Sequence, residues 1–208
     1  MTAILLAAFE PFGGEVVNAS WEAVKRAKAP PIAGLRLERV CLPCVYKRSV
    51  EVLEEALDRL APDILVLVGQ AAGRPDVCVE RVALNLDDAA LADNDGEVRR
   101  DREIAAGGPA AYMTGLDARG LVERLRQAGI PARVSLTAGA YVCNHVFYEA
   151  TRLSDARNPR IRVGLIHVPV TPGQVEEQSG APSMGTEQVV SALQLIIAAE
   201  AAGMALAV

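Results

Sequence analysis

The sequence predicts a three-layer α/β/α sandwich built on a mostly parallel central sheet. Apolar, β-branched runs alternate along the chain with stretches of helical period, the pattern of strands joined by helices that cover both faces of a sheet. The 208 residues are 51% hydrophobic, enough to bury a sizeable core, and their number fits one domain spanning residues 1–208.

Residues 3–9, 36–42, 64–68, 132–136 and 162–168 read as strands. Between the second and third, Val50, Leu53, Leu57 and Leu60 recur at helical spacing while Glu51, Glu54, Glu55, Asp58 and Arg59 fill the other face, which defines an amphipathic helix. A later helix over residues 118–128 is ended by Gly129, with Pro131 just beyond. Residues 77–88 break the alternation and read as extended. The polar run DNDGEVRRDRE at 93–103 reads as an exposed, mobile loop. The apolar stretch 189–208 is interrupted by Gln194 and Glu200 and suits a packed helix, so no membrane span is expected.

The net charge of −5 opposes a broad attraction to nucleic acid phosphates or anionic lipid, so neither is expected as a partner. No Lys or Arg precedes Lys25, and the first apolar run meets Glu10-Pro11 at once, which is unlike a secretory signal. Four cysteines in such a chain read as reduced thiols, and the expected compartment is the cytoplasm.

In a parallel sheet the reactive groups are expected where strands end. The first strand runs into FEPFGG, residues 9–14, where Phe9 and Phe12 offer an apolar wall to a small, flat, uncharged group. The third ends at Gln70, whose amide can both donate and accept. Residues 137–142 lead to Cys143 at or near a helix start, where unpaired amides and the helix dipole favour a thiolate. Of the two histidines, His145 sits two positions away and points elsewhere on a helix, whereas His167 ends the last strand and is the better base. A carboxylate should orient it, and Glu80 and Asp76 are both candidates. Cys41-Leu42-Pro43-Cys44 has the spacing of a thioredoxin-type redox motif. The chain is long for that fold, and two packed or partly exposed thiols are the preferred reading. The remaining ligands lack the paired spacing of a structural zinc site.

Taken together, FEPFGG, VGQAAGR at 68–74, ERVALN at 80–85, TAGAYVCNH at 137–145, IHVPV at 166–170 and PSM at 182–184 resemble the pyroglutamyl peptidase I family, also called pyrrolidone carboxyl peptidase, in order and approximate spacing. The resemblance covers nearly the whole chain. It implies a phosphorylase/hydrolase-like fold and a thiol peptidase that removes N-terminal pyroglutamyl residues from peptides without metal or organic cofactor. It further implies a triad of Glu80, Cys143 and His167, with Asp76 demoted. Phe9 and Phe12 would sandwich the pyrrolidone ring, while Gln70 and backbone groups around Tyr141 and Val142 recognise the lactam. A homotetramer is implied by resemblance alone.

One departure bears on chemistry. Similar proteins read Asp-Ala-Arg-Ile where this chain reads Asp88-Ala89-Ala90-Leu91, so the arginine thought to steady the oxyanion is absent at Ala90. Arg74, Arg99 and Arg100 are the candidates to replace it. Rival readings follow: a pyroglutamyl-peptide binding protein with weakened catalysis, a nucleoside phosphorylase-like enzyme with phosphate at the FGG turn, or a dithiol redox protein using Cys41 and Cys44.

Overall fold

Runs of Ile, Leu and Val with no exposure to solvent form the centre of the computed structural model, which describes residues 2–157, 160–175 and 180–205. The strands are β1 (Thr2–Phe9), β2 (Leu35–Leu42), β3 (Ile64–Gln70), β4 (Val77–Glu80), β5 (Val82–Leu84), β6 (Ala111–Met113), β7 (Ala132–Ser135) and β8 (Arg162–Val168). The helices are α1 (Ala19–Arg26), α2 (Tyr46–Leu60), α3 (Ala118–Gln127), α4 (Val142–Asp155) and α5 (Thr186–Ala205), with a 3₁₀ turn at Pro172–Gln174. The predicted apolar stretch 189–208 therefore lies within α5 as far as Ala205, and residues 206–208 lie outside the described residues. Among the described residues no helix is long and apolar enough to cross a membrane.

Six strands form one sheet in the order β2-β1-β3-β8-β4-β7. Because successive strand residues face opposite ways, Ile4, Leu6 and Ala8 join a core under α1, α3 and α5, while Leu5, Ala7 and Phe9 join another under α2 and α4. The three-layer prediction is therefore correct, and so are the five predicted strands to within two residues at their ends. In α2 the buried stripe is Tyr46, Ser49, Leu53, Ala56 and Leu57, with Val50 and Leu60 at its margins.

Two expectations need correction. The sheet is parallel except where β4 pairs with β8, and β7, parallel to β4, also runs against the other four strands. The rule that sites gather at the ends of parallel strands therefore does not by itself bring Cys143, which follows β7, to the rim where His167 lies. The loop after β7 and helix α4 do so. The extended stretch 77–88 is split at Arg81: β4 joins the main sheet, and β5 leaves it to pair with β6.

The second correction concerns residues 93–103. Although polar, this segment is tied into the domain. The buried Asp93 carboxylate accepts from the amide of Tyr46, the first residue of α2, and from the amides of Asp95 and Glu97. Val45, at the cap position of α2, supplies no side-chain bond, so Asp93 caps the helix from a distant part of the chain. Asn94 reaches Glu10 Oε1 at 2.8 Å and the Pro11 carbonyl at 2.9 Å, and Arg102 and Asp87 exchange backbone bonds. Most of the run is exposed, as its composition predicts, but it is anchored at two points: the Asp93 carboxylate is buried against the start of α2, and Arg99 pairs with buried Asp87 at 2.8 Å. Asp93→Ala should therefore lower the stability of the folded protein by about 1–2 kcal/mol, with Asp93→Asn costing less. An unchanged urea midpoint for Asp93→Ala would show that the cap contributes nothing.

Candidate active site

The deepest constraint on the site is a close approach of backbone to side chains. Gly69, near the end of β3, lies opposite His167 in β8. A side-chain carbon placed on Gly69 would sit 2.9 Å from Cys143 Sγ and 3.0 Å from His167 Nε2. Only glycine leaves room for a thiol and an imidazole to converge on one point.

Cys143 is the second residue of α4, after a Tyr141 cap position that makes no side-chain cap bond. A helix start favours an anion through its free amides and dipole. Burial opposes this and wins. Only 7% exposed, the Cys143 thiol has its pKa raised, first by burial and then by the nearby Cys44 and Glu80, against a smaller lowering by Arg74. The sequence favoured a resting thiolate, but the enclosed site favours the neutral thiol, so ionisation needs a base.

His167 is buried and its Nδ1 lies 2.8 Å from Glu80 Oε1. That contact assigns the proton to Nδ1 and leaves the lone pair on Nε2, the nitrogen next to Gly69 and on the side of the thiol. Glu80 has no solvent exposure. Burial alone would raise its pKa, but its hydrogen bond and charge interaction with His167, together with the charge of Arg74, hold it below the usual carboxylate range. Arg74 Nη1 is 2.5 Å from Glu80 Oε1 and Arg74 Nη2 donates to the Thr137 carbonyl at 3.1 Å. Glu80 Oε2 has no hydrogen-bond partner among the described residues. Asp76 instead faces Arg133 at 3.9 Å, so of the two candidate carboxylates the one against His167 is Glu80.

Arg74, Cys143 and His167 line a cleft of about 360 Å³, together with Phe12, Gln70, Leu91 and Tyr141 among others, and Glu80 lies behind them outside its lining. Phe12 and Tyr141 lie together, ring centroids 5.8 Å apart. Phe9 was expected to face a ligand beside Phe12. It is fully enclosed in the core under α2 and α4 and lies outside the cleft lining, because it is the last residue of β1 and points to the helical layer. The Val142 side chain is enclosed in the same core, whereas the expectation at Val142 concerned its backbone groups. Gln70 lines the cleft, but its Oε1 already accepts from Ala19 N at 2.6 Å and Gln174 Nε2 at 3.0 Å, so the group it turns to a ligand is a donor.

His145 is in a different network. Its Nδ1 lies 2.9 Å from buried Asp87, which also receives Arg99 at 2.8 Å, and the Arg99 guanidinium stacks 4.2 Å over the Tyr46 ring. Asp87 gave no sequence signal as a site residue; its partners come from α4 and the loop after β5. Of the three arginines proposed to replace the one absent at Ala90, Arg99 is thus engaged elsewhere. Arg100 is exposed and pairs with Asp88 at 3.6 Å. Arg74 alone lines the cleft. All four cysteines are free thiols. Burial, helped by Glu10, pushes Cys41 up to about 11 and Cys44 up to about 12, so neither has the low pKa of an attacking redox thiol.

A family model described as pyroglutamyl peptidase matches residues 2–203. Over 194 residues the chain is 45% identical to pyrrolidone-carboxylate peptidase 2 of Photorhabdus laumondii, an overlap of 93% of this chain and 89% of that one. A pyrrolidone-carboxylate peptidase of Yersinia pestis is 44% identical over 197 residues, covering 95% and 92%. Among solved structures, pyroglutamyl peptidase I of Bacillus amyloliquefaciens matches with a TM-score of 0.90 at 43% identity over 95% of each chain. A mutant pyrrolidone carboxyl peptidase of Pyrococcus furiosus matches at 0.89 and 35% identity, covering 94% of this chain and 96% of that one.

The site makes two predictions. Gly69→Ala should destabilise the fold by about 1–3 kcal/mol through overpacking and displace the Cys143–His167 pair; an unchanged melting temperature would sink the crowding argument. Alkylation of Cys143 by iodoacetamide, followed by peptide mass spectrometry, should keep accelerating with pH beyond about 8.5, the ordinary cysteine pKa. A rate that levels off below neutrality would mean that the helix start outweighs burial.

Proposed function

The chain belongs to the pyroglutamyl peptidase family, and on that premise we propose that it hydrolyses the bond after an N-terminal pyroglutamyl residue with Cys143 as nucleophile, His167 as base and Glu80 as its orienting carboxylate. What supports the assignment most is the convergence of Cys143 Sγ and His167 Nε2 over Gly69, with His167 Nδ1 held on buried Glu80.

The order of proton movements follows from the raised thiol pKa. His167 Nε2 takes the Cys143 proton as sulfur attacks the pyroglutamyl carbonyl, so the charged pair exists only in the reacting complex. Glu80 stabilises the imidazolium and fixes its tautomer. Collapse of the tetrahedral intermediate passes the His167 proton to the departing amine and leaves a thioester. Water, deprotonated by the same nitrogen, then releases pyroglutamate and restores the thiol. The free amides at the start of α4 supply fixed donors for the oxyanion.

A pyroglutamyl group has no charged α-amine, and the cleft matches that. Phe12 and Tyr141 give it flat apolar walls, and Gln70 offers an N–H donor to a lactam carbonyl. In this reading Phe9 supports Phe12 from the core and does not touch the ring. Arg74, which bridges Glu80 and Thr137, is the cation that takes over part of the charge stabilisation absent at Ala90.

The test is release of fluorophore from a pyroglutamyl coumarylamide beside its prolyl analogue. Turnover is expected for the lactam only, abolished in Cys143→Ala and reduced roughly 10²- to 10⁴-fold in kcat by Glu80→Gln. Arg74→Ala should lower kcat by the equivalent of about 2–4 kcal/mol, and Arg100→Ala should leave it unchanged. Binding of 2-pyrrolidone without turnover by the folded wild type would favour the binding protein, a reading motivated by Ala90. Phosphate-dependent activity surviving Cys143→Ala would favour the phosphorylase.

A further inference from the structure

The pyroglutamyl reading gives no role to Gln174, a polar residue beside the cleft whose hydrogen bonds point in one direction. Gln174 closes the 3₁₀ turn after β8. Its Oε1 accepts from the Thr171 amide and the Thr171 hydroxyl, both at 3.0 Å. With its oxygen taken up on that side, its Nε2 faces away, toward acceptors only: Gln70 Oε1 at 3.0 Å, the Val17 carbonyl at 3.3 Å and Glu15 Oε2 at 3.4 Å. Gln70 Oε1 also receives the Ala19 amide at 2.6 Å.

The two ends of a glutamine amide have nearly the same shape, so packing cannot choose which faces a ligand. Hydrogen-bond partners can. Turning the Gln70 amide over would set its NH₂ against two N–H donors inside a buried site, leaving several donors unpaired at once. The orientation of Gln70 is therefore held by two donors together, the Ala19 amide, which cannot turn, and Gln174, whose own orientation is set by the Thr171 turn.

We propose that Gln174 is a positioning residue: together with the Ala19 amide it holds Gln70 so that this wall of the cleft is a hydrogen-bond donor, and so selects for a ring that carries a carbonyl there. The inference rests on the pyroglutamyl reading and extends it to a residue that does not itself line the cleft. It also gives the turn a function, since Gln174 joins β3, the turn after β8 and the segment after FEPFGG at a single amide.

The test compares wild type, Gln174→Ala and Gln174→Glu for kcat and KM on the pyroglutamyl coumarylamide, and for inhibition by 2-pyrrolidone, a lactam with no bond to cleave. Gln174→Ala should raise KM and the 2-pyrrolidone inhibition constant together, by about tenfold, the equivalent of one lost buried hydrogen bond, with kcat changed by less than about threefold. Gln174→Glu is nearly isosteric, yet it should be worse than Gln174→Ala, because its second oxygen would face Gln70 Oε1, the Val17 carbonyl and Glu15. A purely structural role predicts the reverse order, with the isosteric variant the milder, and that result would overturn the proposal. So would wild-type inhibition constants in both variants. Failure of wild type either to turn over the substrate or to bind 2-pyrrolidone would instead remove the pyroglutamyl reading itself, and this inference with it.

Discussion

A carboxylate with no access to solvent, Glu80, sets the terms for everything around it. An unpaired buried charge of this kind costs several kcal/mol, so its partners are obligatory. His167 and Arg74 meet the same oxygen from two directions, and Arg74 continues to the Thr137 carbonyl in the loop that leads to Cys143. One charge thus ties β4, β8, the loop after β3 and the approach to α4 together. The reversed direction of β4 belongs to this arrangement. It places Cys78 opposite His167 and Glu80 two residues along on the same face, within reach of the imidazole.

A second charged centre does similar work behind the cleft. Asp87, also fully enclosed, holds His145 on α4 and Arg99 from the following loop, while Asp93 in that loop caps α2. The Arg99 guanidinium carbon lies 4.2 Å over the centroid of the Tyr46 ring, which meets those of Tyr141 and His145 edge-on. The most polar stretch of the chain thereby caps the start of α2 and, through the Arg99–Asp87 pair, is linked to His145 near the start of α4. Tyr141 stands between the two centres: its ring lines the cleft and its hydroxyl donates to the Ala92 carbonyl at 3.0 Å.

Inside this frame, two effects compete for the Cys143 thiol. The start of α4 favours the thiolate, and enclosure among β3, β8 and α4 disfavours it more strongly. A neutral resting thiol is less prone to stray alkylation and oxidation than a thiolate. In the proposed reaction it also makes attack depend on His167, and hence on Glu80. With alanine at position 90, Arg74 is the one of the three candidate arginines that lines the cleft, and it is already paired with Glu80.

Much of this was legible in the sequence because it is local. Apolar runs and helical spacing identified the strands, α2 and α3. Strand ends followed by Gly, Gln, Cys and His identified Gln70, Cys143 and His167, and the family resemblance identified the pyroglutamyl peptidase fold and selected Glu80 over Asp76. Only the tertiary structure decided the direction of β4 and β7, the enclosure of Phe9, the capping of α2 by Asp93, the Asp87 network and the polarity of Gln70 through the Ala19 amide and Gln174. The division has a physical cause. Periodicity and turn chemistry act between neighbours in the chain, whereas pairing a buried charge or orienting a buried amide depends on partners that come close only once the sheet has formed.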